Sequence, residues 1–414
     1  MKRRNSRLKA PAGAGWRVVK GGITAPQGYL ASGVSAGIKK RGLDLAVVFS
    51  SQPASAAGVF TLNQVQAAPV LLSKENLKSS RGRVRAILVN SGCANACTGD
   101  QGMQDALVSA RCLASHLKVD PAHVLVASTG VIGSFLPVPK MLKGIASAAS
   151  ALNSDGGSAA VRAIMTTDTR EKAIAVEGRI GGKTVRIGGM AKGAGMIHPQ
   201  MATMLAFITT DIQVAPRELG KILRRAADHT FNCLTVDGDT STNDTLLVLA
   251  NGASGAAAFD GRSIASFEKG LTLVCEELAK SIARDGEGAT KFVEIQVRGA
   301  ADFEAARRVG KSIANSALVK TALYGEELNW GRILCAVGYS GVPFDPERIV
   351  LSLNGIPIFR AGAPVASTRS RAEKALKNND LLIEVDLAGG RASARVWTCD
   401  FSHKYVDINA SYIS

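Results

Sequence analysis

The chain has few of the residues on which many binding sites depend. Phe, Tyr and Trp make up 5% of its 414 residues, and it contains five histidines. So few aromatic rings argue against an aromatic ligand cage, and no two histidines have the H-E-x-x-H spacing of a zinc site. Of seven scattered cysteines, Cys93 and Cys97 form a C-x3-C pair that has neither redox nor zinc-finger spacing. We therefore expect a reduced protein with no metal and no bound cofactor.

Long apolar runs are also missing. No stretch approaches the 18 consecutive apolar residues typical of a membrane span. The basic start of the chain has no apolar segment of the kind that a secretory signal needs. We expect a cytoplasmic protein that does not contact a membrane. An organellar transit peptide stays open as the alternative, because such peptides are also basic and poor in acidic residues.

Acidic residues are absent from the first 43 positions, which hold ten of the lysines and arginines. The net charge of +16 suggests a nucleic-acid partner, but outside this stretch the excess is only +6. No zinc-finger, homeodomain or RNA-recognition signature accompanies the basic residues. We interpret residues 1–20 as a basic leader, expected to be disordered, and expect no nucleic-acid partner. A nucleic-acid-binding protein is the rival interpretation, and it depends on the leader alone.

Helical and strand patterns alternate along the rest of the chain without a strict strand–helix–strand rhythm. Residues 104–119 have apolar positions at helical spacing, whereas residues 43–50 and 83–90 are short β-branched runs typical of buried strands. The same criteria predict helices at 216–229, 263–283 and 301–317, strands at 123–130, 245–250, 291–298 and 332–338, and hairpins at Asn354-Gly355 and Gly389-Gly390. Together these patterns favour a layered α+β sandwich with mixed sheets.

The stretch KGAGMIHPQMATMLAF, residues 192–207, raises the main chemical question. A threonine hydroxyl is a poor nucleophile unless a base lies beside it. If Thr203 became the first residue of a chain, its own α-amine, with a reference pKa of about 7.7–8.0, would be that base. Attack of the Thr203 hydroxyl on the Ala202 carbonyl, followed by hydrolysis of the ester, would make that cut. The residues alone leave open the other interpretation, a buried hydroxyl in a core strand.

Nine segments resemble, in order, those of the ornithine acetyltransferase family, also called bifunctional glutamate N-acetyltransferase / amino-acid acetyltransferase. The segments cover nearly the whole chain after the leader, and the central one contains the M-A-T-M-L motif. They are residues 21–39, 57–70, 89–102, 128–133, 166–169, 192–211, 237–245, 328–333 and 407–414. The resemblance implies an N-terminal-nucleophile enzyme that cleaves itself between Ala202 and Thr203.

The family resemblance also implies the reaction and the assembly. The catalytic unit, residues 21–414, would be cut into an α chain of residues 1–202 and a β chain of residues 203–414. Thr203 would take acetyl from N2-acetylornithine, release ornithine and pass the acetyl group to glutamate in a ping-pong cycle. An α2β2 heterotetramer is implied, whereas the use of acetyl-CoA as a further acetyl donor stays open. Resolution of the acyl-enzyme by water, as in an aminopeptidase or amidase of this type, is the alternative reaction.

The site residues are implied by the same resemblance. Thr129 and Gly130 fall on the oxyanion-stabilising pair, and such donors stabilise the charge that develops in the transition state. Lys192 would pair with the α-carboxylate that ornithine and glutamate share, and Glu287 with the ornithine side-chain ammonium. The substrate contacts as a set fall on Thr166, Lys192, Thr203, Glu287, Asn409 and Ser414. Without the resemblance, Thr129 reads as a turn hydroxyl, Ser414 as a frayed terminus, and Lys192 and Glu287 as solvated charges.

Overall fold

The computed structural model of the protein describes residues 15–198 and 204–411. In this part of the chain, 15 strands form two mixed sheets, and 11 α-helices accompany them. This arrangement confirms the predicted layered α+β class. Residues 1–14 of the leader lie outside the described residues, as do Ala202, Thr203 and Ser414. Within the described ranges, no helix is both long enough and apolar enough to cross a bilayer.

The first sheet has nine strands. Eight of them follow the order β1-β6-β7-β8-β9-β3-β4-β5, and β2 pairs with β3 beside this path. The strands are β1 (Trp16–Val19), β2 (Tyr29–Val34), β3 (Leu45–Phe60), β4 (Arg83–Cys93), β5 (Val124–Val131), β6 (Lys172–Ile180), β7 (Lys183–Lys192), β8 (Leu205–Thr210) and β9 (Thr245–Ala250). The pairs β4–β5 and β8–β9 are parallel, and the other pairs of this sheet are antiparallel.

Both faces of the first sheet are covered by helices, which explains why its central strands are continuously apolar. Every residue of β8 and β9 is buried. Phe207 belongs to the hydrophobic core on one face of the sheet, whereas its neighbour Ile208 belongs to the core on the opposite face. The helices are α1 (Ala68–Ser79), α2 (Gly99–Leu117), α3 (Val138–Ser150), α4 (Gly157–Ile164), α5 (Pro216–His229) and α6 (Gly261–Arg284).

The second sheet has six strands in the order β13-β12-β11-β14-β10-β15. Helix α6 joins the two layers, because it packs on β6 and β7 of the first sheet and on β15 of the second. The strands are β10 (Phe292–Ala300), β11 (Val350–Leu353), β12 (Ile356–Arg360), β13 (Ala363–Pro364), β14 (Asp380–Asp386) and β15 (Ala392–Cys399). The helices are α7 (Phe303–Asn315), α8 (Ala317–Tyr324), α9 (Trp330–Gly338), α10 (Arg369–Ala375) and α11 (His403–Ser411).

The prediction of a strand at 332–338 was wrong, because these residues belong to helix α9. A short apolar run has the same pattern in a buried strand and in a buried helix turn. Here the Asn329 side chain accepts a hydrogen bond from the Arg332 N–H at 3.2 Å and caps the helix. Ile333, Ala336 and Val337 then fall on one buried helical face.

The predicted hairpin at Gly389-Gly390 was also wrong, although both of its strands exist. Strand β10 lies between β14 and β15, pairing parallel with the first and antiparallel with the second. A Cβ at Gly390 would overlap the Ala300 carbonyl, so the chain passes directly against the end of β10. The Asn354-Gly355 hairpin is confirmed, since β11 and β12 pair across it and both turn residues have positive φ.

Candidate active site

A pocket of about 130 Å³ lies where the ends of strands from the first sheet meet the loop after α6 and helix α11. It brings together six of the residues singled out in the sequence, although they are scattered over 281 positions of the chain. These six are Thr129, Gly130, Thr166, Lys192, Glu287 and Asn409. Their roles stay predictions, but their proximity is a property of the fold.

The remaining predicted site residues, Ala202, Thr203 and Ser414, lie outside the described residues. The two sides of the gap at 199–203 nevertheless lead to the same pocket, because Ile197 and Met204 both line it. The Met204 carbonyl accepts a hydrogen bond from the Thr245 N–H at 2.9 Å, which ties the start of β8 to β9. The segment that contains the predicted cleavage junction is therefore bounded on both sides by pocket-lining residues.

Lys192 is the last residue of β7 and is buried at the pocket wall. Its Nζ donates hydrogen bonds to the hydroxyls of Thr166, at 2.6 Å, and Thr129, at 3.3 Å. Burial lowers the pKa of Lys192, and the nearby carboxylate of Asp168, 4.0 Å away, acts against that lowering. This ion pair is long and the other two acceptors are uncharged hydroxyls, so a ligand carboxylate would find a partially satisfied partner.

Thr129 and Gly130 form the end of β5, where it pairs with β4. Gly130 has φ of 131°, and a Cβ there would overlap the backbone of Gly92 on β4, so only glycine fits. The Thr129 hydroxyl accepts a hydrogen bond from Lys192, which leaves its own proton available for donation into the pocket. This arrangement suits the stabilisation of a developing oxyanion.

Glu287 is buried in the loop that follows α6. Its N–H donates to the Ala194 carbonyl at 2.9 Å, and its Oε2 accepts from the Asn409 side-chain amide at 2.8 Å. The carboxylate lies directly against Gly195, where any Cβ would overlap it. The pocket thus contains the Lys192 ammonium and the Glu287 carboxylate, a combination that matches an amino acid with a second ionised end.

The loop 237–244, for which the sequence predicts no specific role, contributes four further pocket residues, Ser241, Thr242, Asn243 and Asp244. The Asn243 amide donates to the carbonyls of Ala94, at 2.6 Å, and Ser128, at 2.9 Å, and so holds the loop against the ends of β4 and β5. Asp244 Oδ2 is buried without a hydrogen-bond partner among the described residues. Burial raises the pKa of Asp244 well above its ordinary value of 3.8. In the sequence, the cluster of acidic and amide residues immediately before the apolar strand β9 is the feature that could have identified this loop as part of the pocket.

Comparison with known proteins yields one family. The sequence profile of the ArgJ family matches residues 30–414. A relative from Thermosynechococcus vestitus, named arginine biosynthesis bifunctional protein ArgJ, is 49% identical over 96% of this chain and 99% of its own length. A relative of the same name from Symbiobacterium thermophilum is 49% identical over 95% of this chain and 98% of its own.

Solved structures include similar chains. A chain of ornithine acetyltransferase complexed with ornithine, from Mycobacterium tuberculosis, is 44% identical and covers 45% of this chain and 100% of its own, with a TM-score of 0.42. A chain of arginine biosynthesis bifunctional protein ArgJ from Bacillus halodurans is 42% identical and covers 45% of this chain and 99% of its own, with a TM-score of 0.43.

Proposed function

The chain belongs to the ArgJ family, and from that premise we propose that its pocket moves the acetyl group of N2-acetylornithine to glutamate. The membership confirms the resemblance to ornithine acetyltransferases and makes the chain an acetyltransferase of arginine biosynthesis. The products of the proposed reaction are ornithine and N-acetylglutamate. The use of acetyl-CoA as a second acetyl donor, which the word bifunctional in the relatives' names suggests, stays a prediction.

The pairing of Lys192 with Glu287 in one small pocket is the observation that supports this substrate class best. Lys192 would bind the α-carboxylate that both amino acids carry, through a charge-assisted hydrogen bond. Glu287, steadied by Asn409, would bind the side-chain ammonium of ornithine. Thr166 shares the Lys192 ammonium and would line the carboxylate end, and Ser414 would add a contact from the carboxyl-terminal residues.

We propose that the nucleophile arises when the chain cuts itself between Ala202 and Thr203. The Thr203 hydroxyl attacks the Ala202 carbonyl, the peptide C–N bond breaks, and the amine nitrogen takes the hydroxyl proton. Water then hydrolyses the ester, leaving an α chain of residues 1–202 and a β chain of residues 203–414. The location of Ile197 and Met204 in the pocket wall supports this assignment, because the cut would occur between them.

In the transfer reaction, the free α-amine of Thr203 removes the hydroxyl proton while the hydroxyl oxygen attacks the acetyl carbonyl. The amide bond of N2-acetylornithine breaks, its nitrogen takes that proton, and ornithine leaves an acetyl-Thr203 ester. The amine of glutamate then attacks the ester and the threonine hydroxyl is restored. Thr129 and Gly130 would stabilise the oxyanion in both steps. No metal or bound cofactor enters this scheme. An α2β2 assembly in the cytoplasm completes the proposal.

Replacement of Thr203 tests the central step. We expect Thr203→Ala to leave one uncut chain by intact mass and to abolish acetyl transfer, because no hydroxyl attacks the Ala202 carbonyl. Thr203→Ser keeps a hydroxyl and should still cut, more slowly. The assay should also measure acetate release in the absence of glutamate, since fast release would favour the amidase alternative. A cut at the same junction in Thr203→Ala would refute the autocatalytic mechanism.

A further inference from the structure

A buried carboxylate outside the set of predicted site residues links three parts of the pocket wall. Asp168 lies between α4 and β6, and its side chain is fully buried. Its Oδ1 accepts hydrogen bonds from Lys172 Nζ at 2.6 Å and from the Gly193 N–H at 2.7 Å. Its Oδ2 accepts from the Thr166 N–H at 3.0 Å and lies 4.0 Å from Lys192 Nζ. One side chain therefore holds the backbone on both sides of the Lys192 ammonium.

The charges around this carboxylate are balanced. Two buried lysines, Lys172 and Lys192, face two buried aspartates, Asp168 and Asp285. Lys172 contacts both carboxylates, at 2.6 Å and 2.5 Å. Lys192 instead has two hydroxyl acceptors and one carboxylate at longer range. The charged groups that act on Lys192 are Asp168, Lys172, Glu287, Asp244 and Lys39.

Loss of the Asp168 charge would leave this cluster with one positive charge in excess. Lys172 would keep its contact with Asp285, so Lys192 is the lysine that would give up its proton. Burial already lowers the pKa of Lys192, and Asp168 is the largest influence that raises it. In turn, burial alone would raise the pKa of Asp168, but Lys192, Lys172 and the Gly193 N–H together outweigh burial and lower it to about 2. Asp168 is therefore an anion at neutral pH.

We propose that Asp168 is a positioning residue that keeps the Lys192 ammonium charged and directed at the α-carboxylate of the substrate. It acts through Lys192 and Thr166 and does not itself line the pocket. The inference builds on the proposed function, since it assumes that Lys192 binds that carboxylate. The TTDT segment, residues 166–169, would then have two roles: Thr166 contacts the substrate, as predicted, and Asp168 positions Lys192.

The test replaces Asp168 with Asn and measures KM and kcat for N2-acetylornithine between pH 6 and pH 9. We expect KM near pH 8 to rise roughly 10-fold to 100-fold, the usual effect of losing a charge-assisted hydrogen bond. The rise in KM should shrink toward pH 6. Loss of the Asp168 charge would lower the pKa of Lys192 further, and Lys192 would regain its proton as the pH falls. Values of KM are compared at each pH, since kcat also depends on the α-amine of Thr203.

A substrate without the α-carboxylate separates positioning from general damage. N-acetyl-1,4-diaminobutane carries the acetyl group and the ammonium but offers nothing for Lys192 to bind. The wild-type enzyme should use it poorly, and Asp168→Asn should leave its KM within about twofold, because the lost interaction was never made. If Asp168→Asn raises KM equally for both substrates, or equally at every pH, the positioning role is wrong.

Asp211→Asn is the matched control. Asp211 is also a buried carboxylate that accepts two backbone N–H bonds, from Gln27 at 3.0 Å and Arg186 at 2.9 Å, but it follows the far end of β8 and does not line the pocket. This variant should lower stability without changing KM at any pH. A pH-dependent rise in KM in Asp211→Asn would overturn the proposal, because loss of any buried carboxylate would then produce the effect.

A second variant keeps the test valid if Asp168→Asn does not fold. Asp168→Asn combined with Lys172→Met removes both members of one buried ion pair, a change that folded proteins often tolerate. Asp285 loses Lys172 as well but keeps its hydrogen bonds from the Thr169 and Arg170 N–H groups. The double variant should keep the carboxylate-specific rise in KM, with a weaker pH dependence because no excess charge remains. An unchanged KM in this variant would refute the inference. Absence of acetyl transfer in the wild-type enzyme would instead refute the proposed function, so the two failures are distinguishable.

Discussion

At the scale of single residues, the pocket depends on glycines as much as on charged groups. Gly195 gives the Glu287 carboxylate room to lie against the backbone, and Gly130 lets the end of β5 approach β4. Each glycine therefore determines where a neighbouring functional group can lie, because a Cβ at either position would overlap its surroundings. The charged residues could be identified from the sequence only through the family motifs, because an isolated lysine or glutamate is usually a solvated surface residue.

The proposed ornithine contact gives a prediction at this scale. Glu287→Gln should raise KM for N2-acetylornithine by roughly 10-fold to 100-fold, since a charge-assisted hydrogen bond to the ammonium is lost. KM for glutamate should stay unchanged or fall, because glutamate has a carboxylate where ornithine has the ammonium. Steady-state kinetics with each substrate varied in turn measures both values. Equal losses for the two substrates would contradict the assignment.

A glycine pair provides the control for this prediction. Gly195→Ala displaces the carboxylate without removing it and should reproduce the selective loss for N2-acetylornithine. Gly338→Ala adds the same methyl group at the end of α9, where no described atom outside the adjacent helix backbone lies within 4 Å, and should leave both KM values unchanged. A loss in Gly338→Ala as large as in Gly195→Ala would mean that the effect is not local to Glu287.

At the scale of elements, the sequence predicts the strands and turns that are determined by neighbouring residues in the chain. β9 was identified by its apolar run and the β11–β12 hairpin by its Asn-Gly turn. The insertion of β10 between β14 and β15 could not be predicted, because strand pairing depends on contacts distant in the chain. Asp168 escaped notice for the same reason. Its partner Gly193 is 25 positions away, and only the sheet brings them to 2.7 Å.

Helix α11 carries the prediction at the scale of elements. Its described side chains are exposed or half-buried, and Asn409 is the one that bonds to Glu287. Truncation after Ser402 should therefore lower Tm by only a few degrees, because little apolar area is lost. It should raise KM for N2-acetylornithine about tenfold, because Glu287 loses its amide partner. Thermal unfolding and kinetics on the same sample measure both effects.

A shorter truncation separates the helix from the last residues. Removal of 412–414 keeps Asn409 and deletes Ser414, so any rise in KM would report the terminal contact alone. We expect a smaller rise than after removal of the whole helix. If truncation after Ser402 leaves KM unchanged, then α11 does not support the pocket.

At the scale of the whole molecule, the proposed cut would divide the first sheet between two chains. β7 would belong to the α chain, β8 and β9 to the β chain, and β3 again to the α chain. The β-chain strands are thus bonded on both sides by α-chain strands, through the β7–β8 and β3–β9 ladders. The pocket has the same mixed origin, since Lys192 would come from one chain and Glu287 from the other.

This division predicts that the cut protein stays one particle until it is denatured. Leu205, Phe207 and Leu247 are buried between α-chain elements, and each such side chain contributes about 1.5–3 kcal/mol when removed from water. Separation of the chains would expose all of them and break two strand ladders. An affinity tag before residue 1 should therefore retain both chains in buffer and release residues 203–414 only in denaturant. The uncut Thr203→Ala protein, which should elute at the same native size, is the control. Release of the β chain in plain buffer would contradict the shared sheet, because each half would then have to fold and persist alone.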